Sequence, residues 1–91
     1  MTGTILSDRY VLGDQIGAGG MAVVHLAWDR QEKHQVAVKI LRSEFNEDSE
    51  FVRRFNLEAQ AASKMSHENI VGIYGVGLDG DIRYIVMEYV N

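Results

Sequence analysis

The sequence predicts an α+β fold, a five-stranded antiparallel sheet with one major helix against it. Three observations lead there. Five apolar runs of strand length, rich in Val, Ile and Tyr, succeed one another along the chain. Glycine-bearing or polar stretches separate them as turn signals. One helical period occurs, between the third run and the fourth.

Residues 1–8 read as an extended polar lead-in. Tyr10 to Ile16 reads as the first strand, and Val23 to Trp28 as its antiparallel partner across "GAGG". The polar "DRQEKHQ" (29–35) turns the chain into "VAVKIL" (36–41), a β-branched strand with Ala37, Lys39 and Leu41 on one face. The acidic "SEFNEDSE" (43–50) suits the positive end of a helix starting near Asp48. From Phe51 to Met65 the period is helical, since Phe51, Phe55, Ala62 and Met65 fall within an arc of about 80° at about 100° per residue. After "SHEN" come "IVGIYGVG" (70–77) and "IRYIVMEYV" (82–90), joined at Asp79-Gly80, a strong hairpin signal. The order is β-β-β-α-β-β without an internal repeat. The ending "EYVN" has no closing turn, so a piece of a larger protein is expected.

Composition narrows the function classes. At 91 residues the chain is at most one small domain, which buries only about 60–65% of its unfolded surface. The net charge of −4 argues against a nucleic-acid partner. The absence of cysteine excludes disulfides and thiolate metal sites, and fits a reducing compartment. The N-terminus lacks the pattern of a signal peptide, and no apolar run has the length of a membrane span.

The most informative residue is Glu58. It falls in the middle of the apolar arc of the helix, where a carboxylate is costly unless paired. Lys39, set among apolar residues in "VAVKIL", has the same problem with the opposite sign, and the two are expected to pair. Taken alone, they fit a plain buried salt bridge, or a Lys39 that snorkels to solvent. The glycine-rich hairpin just before the lysine shifts that balance. Glycine N–H groups cover phosphate oxygens closely, lysine supplies a point charge, and Glu58 would hold that lysine in position. Other phosphate-binding glycine motifs do not fit. A P-loop needs Gly-Lys directly before a helix. A dinucleotide-binding loop needs strand, glycines and helix, whereas these glycines lie between two strands.

From Arg9 to Asn91 the sequence resembles the N-terminal lobe of the protein kinase family. The motifs come in order: "GAGGMAVV", "VAVK", the glutamate of "RRFNLEAQAA", "SHENIV" and "YIVMEYV". The wording is most like the bacterial eukaryotic-like serine/threonine kinases, a group that includes membrane-anchored receptors with extracellular PASTA repeats. The resemblance divides the chain into an N-terminal extension, 1–8, and a partial kinase domain, 9–91. It implies that Gly17, Ala18, Gly19, Gly20, Met21 and Ala22 cover the phosphates of ATP. Ile16 and Val24 would cap the adenine, with Ala37 beside it. Lys39 would contact the α- and β-phosphates, held by Glu58. Met87 is similar to the gatekeeper, and the backbone of Glu88 and Val90 would bond the adenine edge.

Two departures stand out: Ala22 replaces the third glycine of the loop, and Glu68 replaces a frequent proline. Nothing resembles "HRD…N" or "DFG", so the catalytic base, the Mg²⁺ ligands and the peptide-docking surface are expected in a second lobe. The implied whole is a cytoplasmic kinase domain, anchored in a membrane or not. It would pass the γ-phosphoryl group of ATP to protein Ser or Thr, while the 91 residues alone are expected not to catalyse. The alternatives are a non-catalytic N-lobe that dimerises or regulates, and a pseudokinase.

Other residues read as structural. His25, His34 and His67 read as surface or turn histidines rather than metal ligands. Gly72, Gly75 and Gly77 mark bends or a bulge. Trp28 and Tyr74 read as core or strand-surface aromatics, and Arg53 and Arg54 as a solvated helix face. Arg9 reads either as an ordinary surface arginine or as part of the back-to-back homodimer implied by the bacterial group.

Overall fold

The computed structural model describes residues 2–19, 22–42, 49–60 and 70–90, apart from the side chains of residues 51, 58–60, 70 and 71. The sheet has six strands, not five: β1 (Ile5–Leu6), β2 (Tyr10–Ala18), β3 (Ala22–Asp29), β4 (His34–Leu41), β5 (Ile70–Asp79) and β6 (Ile82–Tyr89). Their spatial order is β1-β2-β3-β4-β6-β5, with antiparallel neighbours throughout. The helix α1 spans Ser49–Gln60, with Glu50 in its first turn. The expected continuation to Met65 lies outside the described residues.

The sixth strand comes from the stretch read as a polar lead-in. Gly3 N–H donates to Leu12 O (2.7 Å) and Leu12 N–H to Thr4 O (2.8 Å). Leu6, 1% exposed, supplies the apolar side chain that makes this pairing worthwhile. The turn that follows places Ser7 and Asp8 at φ 52° and 54°, and Arg9 N–H closes it onto Leu6 O (3.0 Å). Two residues of strand are too few for a period to show in sequence.

Register separates the two faces. On one lie Leu6, Tyr10, Leu12, Ala27, Val36, Val38, Ile40, Tyr84 and Val86, a buried core that no helix covers among the described residues. The sheet covers it by curling. Its edge strands are β1 and β5, about 24 Å apart in a flat six-stranded sheet. Yet Ser7 N–H, just after β1, donates to Asp79 Oδ2 at the end of β5 (2.6 Å). Ser7 Oγ also shares a hydrogen bond with the Tyr84 hydroxyl. The Tyr10 and Tyr84 rings meet edge to face at 5.9 Å across the enclosed space.

The other face holds Ala22, Ala37, Leu41, Ile85 and Met87, and Phe55 of α1 plugs into them at 2% exposure. Val52, one turn earlier, packs beside it. Leu57 points away and is exposed, as its place on the wheel requires.

Local chemistry fixes the connections. Asp29 anchors the β3–β4 turn: its Oδ1 accepts from Gln31 N–H (3.0 Å) and Glu32 N–H (3.2 Å). Arg9 grips the same carboxylate with Nε at 2.8 Å and Nη2 at 2.9 Å. That guanidinium, helped by the turn amides, lowers the Asp29 pKa from 3.8 to about 2. Arg9 also lies 5.0 Å from the centroid of the Tyr10 ring. Of the two expectations for Arg9, the ordinary surface arginine is compatible with this partly exposed ion pair. In β5, Gly72 and Gly75 mark irregularities, with register shifts at Ile70/Gly72 and Ile73/Gly75, whereas Gly77 stands in regular pairing with Tyr84. No described helix is long and apolar enough to cross a membrane.

Candidate functional site

The residues singled out in the sequence converge on the helix-bearing face. Pairing runs Gly17↔Val24 between β2 and β3, Val24↔Lys39 between β3 and β4, and Lys39↔Ile85 between β4 and β6. Paired residues share a face, so Gly17, Val24 and Lys39 form one row across three strands. The next row, about 7 Å along the strands, runs Leu26↔Ala37↔Met87. Ala22 pairs with Leu41 one step the other way. Glycine, valine, alanine, lysine and methionine from four strands thus lie in one patch beside α1.

The patch is graded in depth. Ala37 and Met87 are fully buried, forming its floor together with Phe55 and Ile85. Gly17, Val24 and Lys39 are half-buried at its surface, and Ile16, next to Gly17 in β2, is half-buried too. Ala18 pairs with Val23 and belongs to the opposite face. Glu88 pairs with Val36, which puts its side chain on the far face and leaves its backbone as the part available to this one. Val90 is exposed just past β6. Gly20 and Met21, at the hairpin tip, lie outside the described residues. So does the side chain of Glu58, and with it the expected pairing to Lys39. The Glu58 position itself is one turn beyond Phe55, on the stripe that α1 turns toward the sheet.

Backbone irregularities shape the β2–β3 hairpin that borders this face. Gly19 N–H donates to Ala22 O (2.8 Å) and closes the loop. Leu12 pairs with Ala27 and Gln15 with His25, so Gly13 and Asp14 stand opposite Leu26 alone. Gln15 pairs with His25 and Gly17 with Val24, so Ile16 is a second extra residue. Two bulges in tandem twist the end of the hairpin strongly.

Two residues that sequence reasoning did not assign act on this hairpin. Arg42, just after β4, donates to Gly19 O from Nη2 (3.1 Å) and Nε (3.3 Å). Nothing in "KILRSE" signals that contact, which depends on the hairpin folding back beside β4. His25 is not a surface histidine: it is 4% exposed, and its Nδ1 lies 2.8 Å from Gly13 O. A histidine at an inward position of a strand was the signal available. His34 is exposed beside Tyr74, their rings 6.0 Å apart, and Tyr74 and Trp28 are strand-surface aromatics. His67 lies outside the described residues. Arg53 and Arg54 are solvent-facing, and Arg54 reaches Glu50 one turn back at 4.0 Å. No group of His, Asp and Glu among the described residues is arranged to hold a metal ion.

Comparison with known proteins identifies the family. The protein kinase domain family matches residues 10–91. A probable serine/threonine-protein kinase of Clostridium acetobutylicum is 54% identical over 90 residues, covering 99% of this chain and 14% of its own length. Serine/threonine-protein kinase PrkC of Bacillus subtilis is 52% identical over 91 residues, covering 100% of this chain and 14% of its own. Among solved structures, the PknI kinase domain of Mycobacterium tuberculosis superposes with a TM-score of 0.69 at 26% identity, over 100% of this chain and 36% of its own. The chain belongs to the protein kinase family. Within it, the sequence is similar to the N-terminal part of bacterial serine/threonine kinases and spans about a seventh of the length of these relatives.

Proposed function

We propose that this chain is the ATP-binding N-lobe of a serine/threonine protein kinase whose intact form transfers the γ-phosphoryl group of ATP to Ser or Thr of protein substrates. Residues 9–91 make the lobe, and residues 1–8 an extension that adds a strand to it. One observation carries the reading: Gly17, Val24 and Lys39 stand in a single row on the face that also receives α1. A twisted glycine hairpin beside a strand lysine presents N–H donors and a cation to phosphate oxygens. In this reading Gly17 to Ala22 cover the phosphates and Lys39 binds the α- and β-phosphates, positioned by Glu58. Ile16 and Val24 cap the base, and the Glu88 and Val90 backbones bond its edge. Ala37 and Met87 lie beneath that surface, fully buried in the cluster against which Val24 and Tyr89 pack.

Mg²⁺ and the catalytic base would be held by a second lobe, in a domain acting in the cytoplasm. The back-to-back homodimer belongs to the same reading. Because Arg9 already grips Asp29, it would contribute there by bracing the β3–β4 turn rather than as a free cation. The test is nucleotide titration of the full-length protein by calorimetry, with Lys39→Met beside it. Saturable ATP binding, lost with the lysine, supports the reading. Undiminished phosphoryl transfer by Lys39→Met overturns the role given to that residue.

A further inference from the structure

His25 is an anomaly in the fold. Its pairing with Val38 puts it on the face of the back core, away from the patch of Gly17, Val24 and Lys39. It is 4% exposed, so its imidazole is removed from water amid largely apolar surroundings. A ring placed there cannot touch a ligand on the opposite face. Its Nδ1, 2.8 Å from Gly13 O, does something else. A carbonyl only accepts, so Nδ1 carries the proton and donates. Gly13 is one of the two residues opposite Leu26, where the ladder is interrupted, and its carbonyl accepts from the exposed Thr2 hydroxyl (3.2 Å) as well as from the buried imidazole. His25 also sits at the one register pair, Gln15↔His25, that separates the first bulge from the second.

We infer that His25 is a positioning residue for phosphate binding: by clipping Gly13 O across the first bulge, it fixes the twist with which Gly17 to Gly19, at the end of β2, run beside Val24 and Lys39. The inference rests on the nucleotide reading above. The mechanical logic is simple. A bulge is a local twist with neighbouring solutions, and the two bulges lie within five residues of β2, just before the hairpin tip. A donor fixed in the sheet at that point selects one twist. Without it the hairpin still forms, held at its tip by Gly19–Ala22 and Arg42, but its twist beside the lysine is no longer set.

The test compares ATP with adenosine on the full-length protein, using His25→Leu and His25→Asn. Asparagine places an amide donor near the Nδ1 position, while leucine fills the space without one. His25→Leu is expected to weaken ATP binding about five- to tenfold, the scale of one positioning hydrogen bond. Adenosine binding should fall less than ATP binding, because it meets Ile16 and Val24 but does not draw on the hairpin N–H groups. His25→Asn should restore ATP binding. Equal losses for ATP and adenosine, or no loss for either, overturn the inference, the first by showing a merely structural role. Should the leucine variant not fold, His25→Gln keeps a polar group but carries its donor past Nδ1, and the same ATP-selective loss is expected. A wild-type protein that binds neither ligand overturns the nucleotide reading itself, a result distinct from wild-type binding with indifferent variants.

Discussion

Gly77 of β5 pairs with Tyr84 of β6, and the tyrosine ring occupies the space where a side chain at Gly77 would be. A Cβ built there would lie 2.3 Å from Tyr84 Cζ, 2.4 Å from the hydroxyl oxygen and 2.7 Å from Cε2. Carbon atoms in contact prefer about 3.5–4.0 Å, so Gly77→Ala forces the ring back by about 1 Å. The ring has little room for that, being 4% exposed, against Tyr10 at 5.9 Å and bonded through its hydroxyl to Ser7. Overpacking of this kind costs about 1–3 kcal/mol. Losing the hydroxyl bond adds about 0.5–1.5 kcal/mol. Reduced freedom of the unfolded chain returns about 0.4–1 kcal/mol. The net expectation is a loss of about 2 kcal/mol, measured as a lower midpoint in urea unfolding followed by circular dichroism. Gly75→Ala is the internal control, because a Cβ there meets nothing within 4 Å. Tyr84→Leu should relieve the clash, so the double variant Gly77→Ala/Tyr84→Leu should lose less than the sum of its parts. Equal midpoints for Gly77→Ala and Gly75→Ala would refute the reasoning.

Other expectations follow from the two faces of the sheet. Phe55→Ala removes the side chain that seats α1 and should cost about 3–5 kcal/mol, read from the same unfolding curves. Lys39→Met should lower phosphoryl transfer by the intact protein about 10²-fold or more, read from activity assays, with thermal melts beside them to correct for any change in folded fraction. Because Asp29 has its pKa lowered from 3.8 to about 2, its ion pair stabilises the fold above about pH 4. That contribution is lost as pH falls from about 4 to about 2. Arg9→Met should therefore lower the melting temperature at pH 6 and shrink the difference from wild type toward pH 2.

The parts of this fold legible in the sequence are those governed by local periodicity. The strand of "VAVKIL", the Asp79-Gly80 hairpin, the irregular glycine strand and the inward place of Phe55 each follow from a few neighbouring residues. The row of Gly17, Val24 and Lys39 was partly legible too, since strand order and a hairpin between the glycines bring those residues near one another. What escaped was whatever depends on distant chain. β1 is only two residues long and gains its stability from Leu6 beneath the curl. Asp29 reads as an ordinary turn residue until Arg9 arrives from 20 positions away. His25 reads as a surface or turn histidine because the carbonyl it serves belongs to a bulge 12 positions earlier, and that pairing has no local signature.

The contact between Ser7 and Tyr84 joins positions 77 apart, almost the full span of the lobe. It also dates the assembly. The hairpins β2–β3 and β5–β6 close over short stretches of chain, but the back core needs Leu6 and Tyr10 together with Tyr84 and Val86. Closing so long a loop precedes any gain from the contacts it makes, which places this step late in folding. On the ribosome the first strands must therefore wait, with one apolar face uncovered, until β6 has been synthesised. During that interval β2 to β4 are the part of the nascent chain most in need of a chaperone.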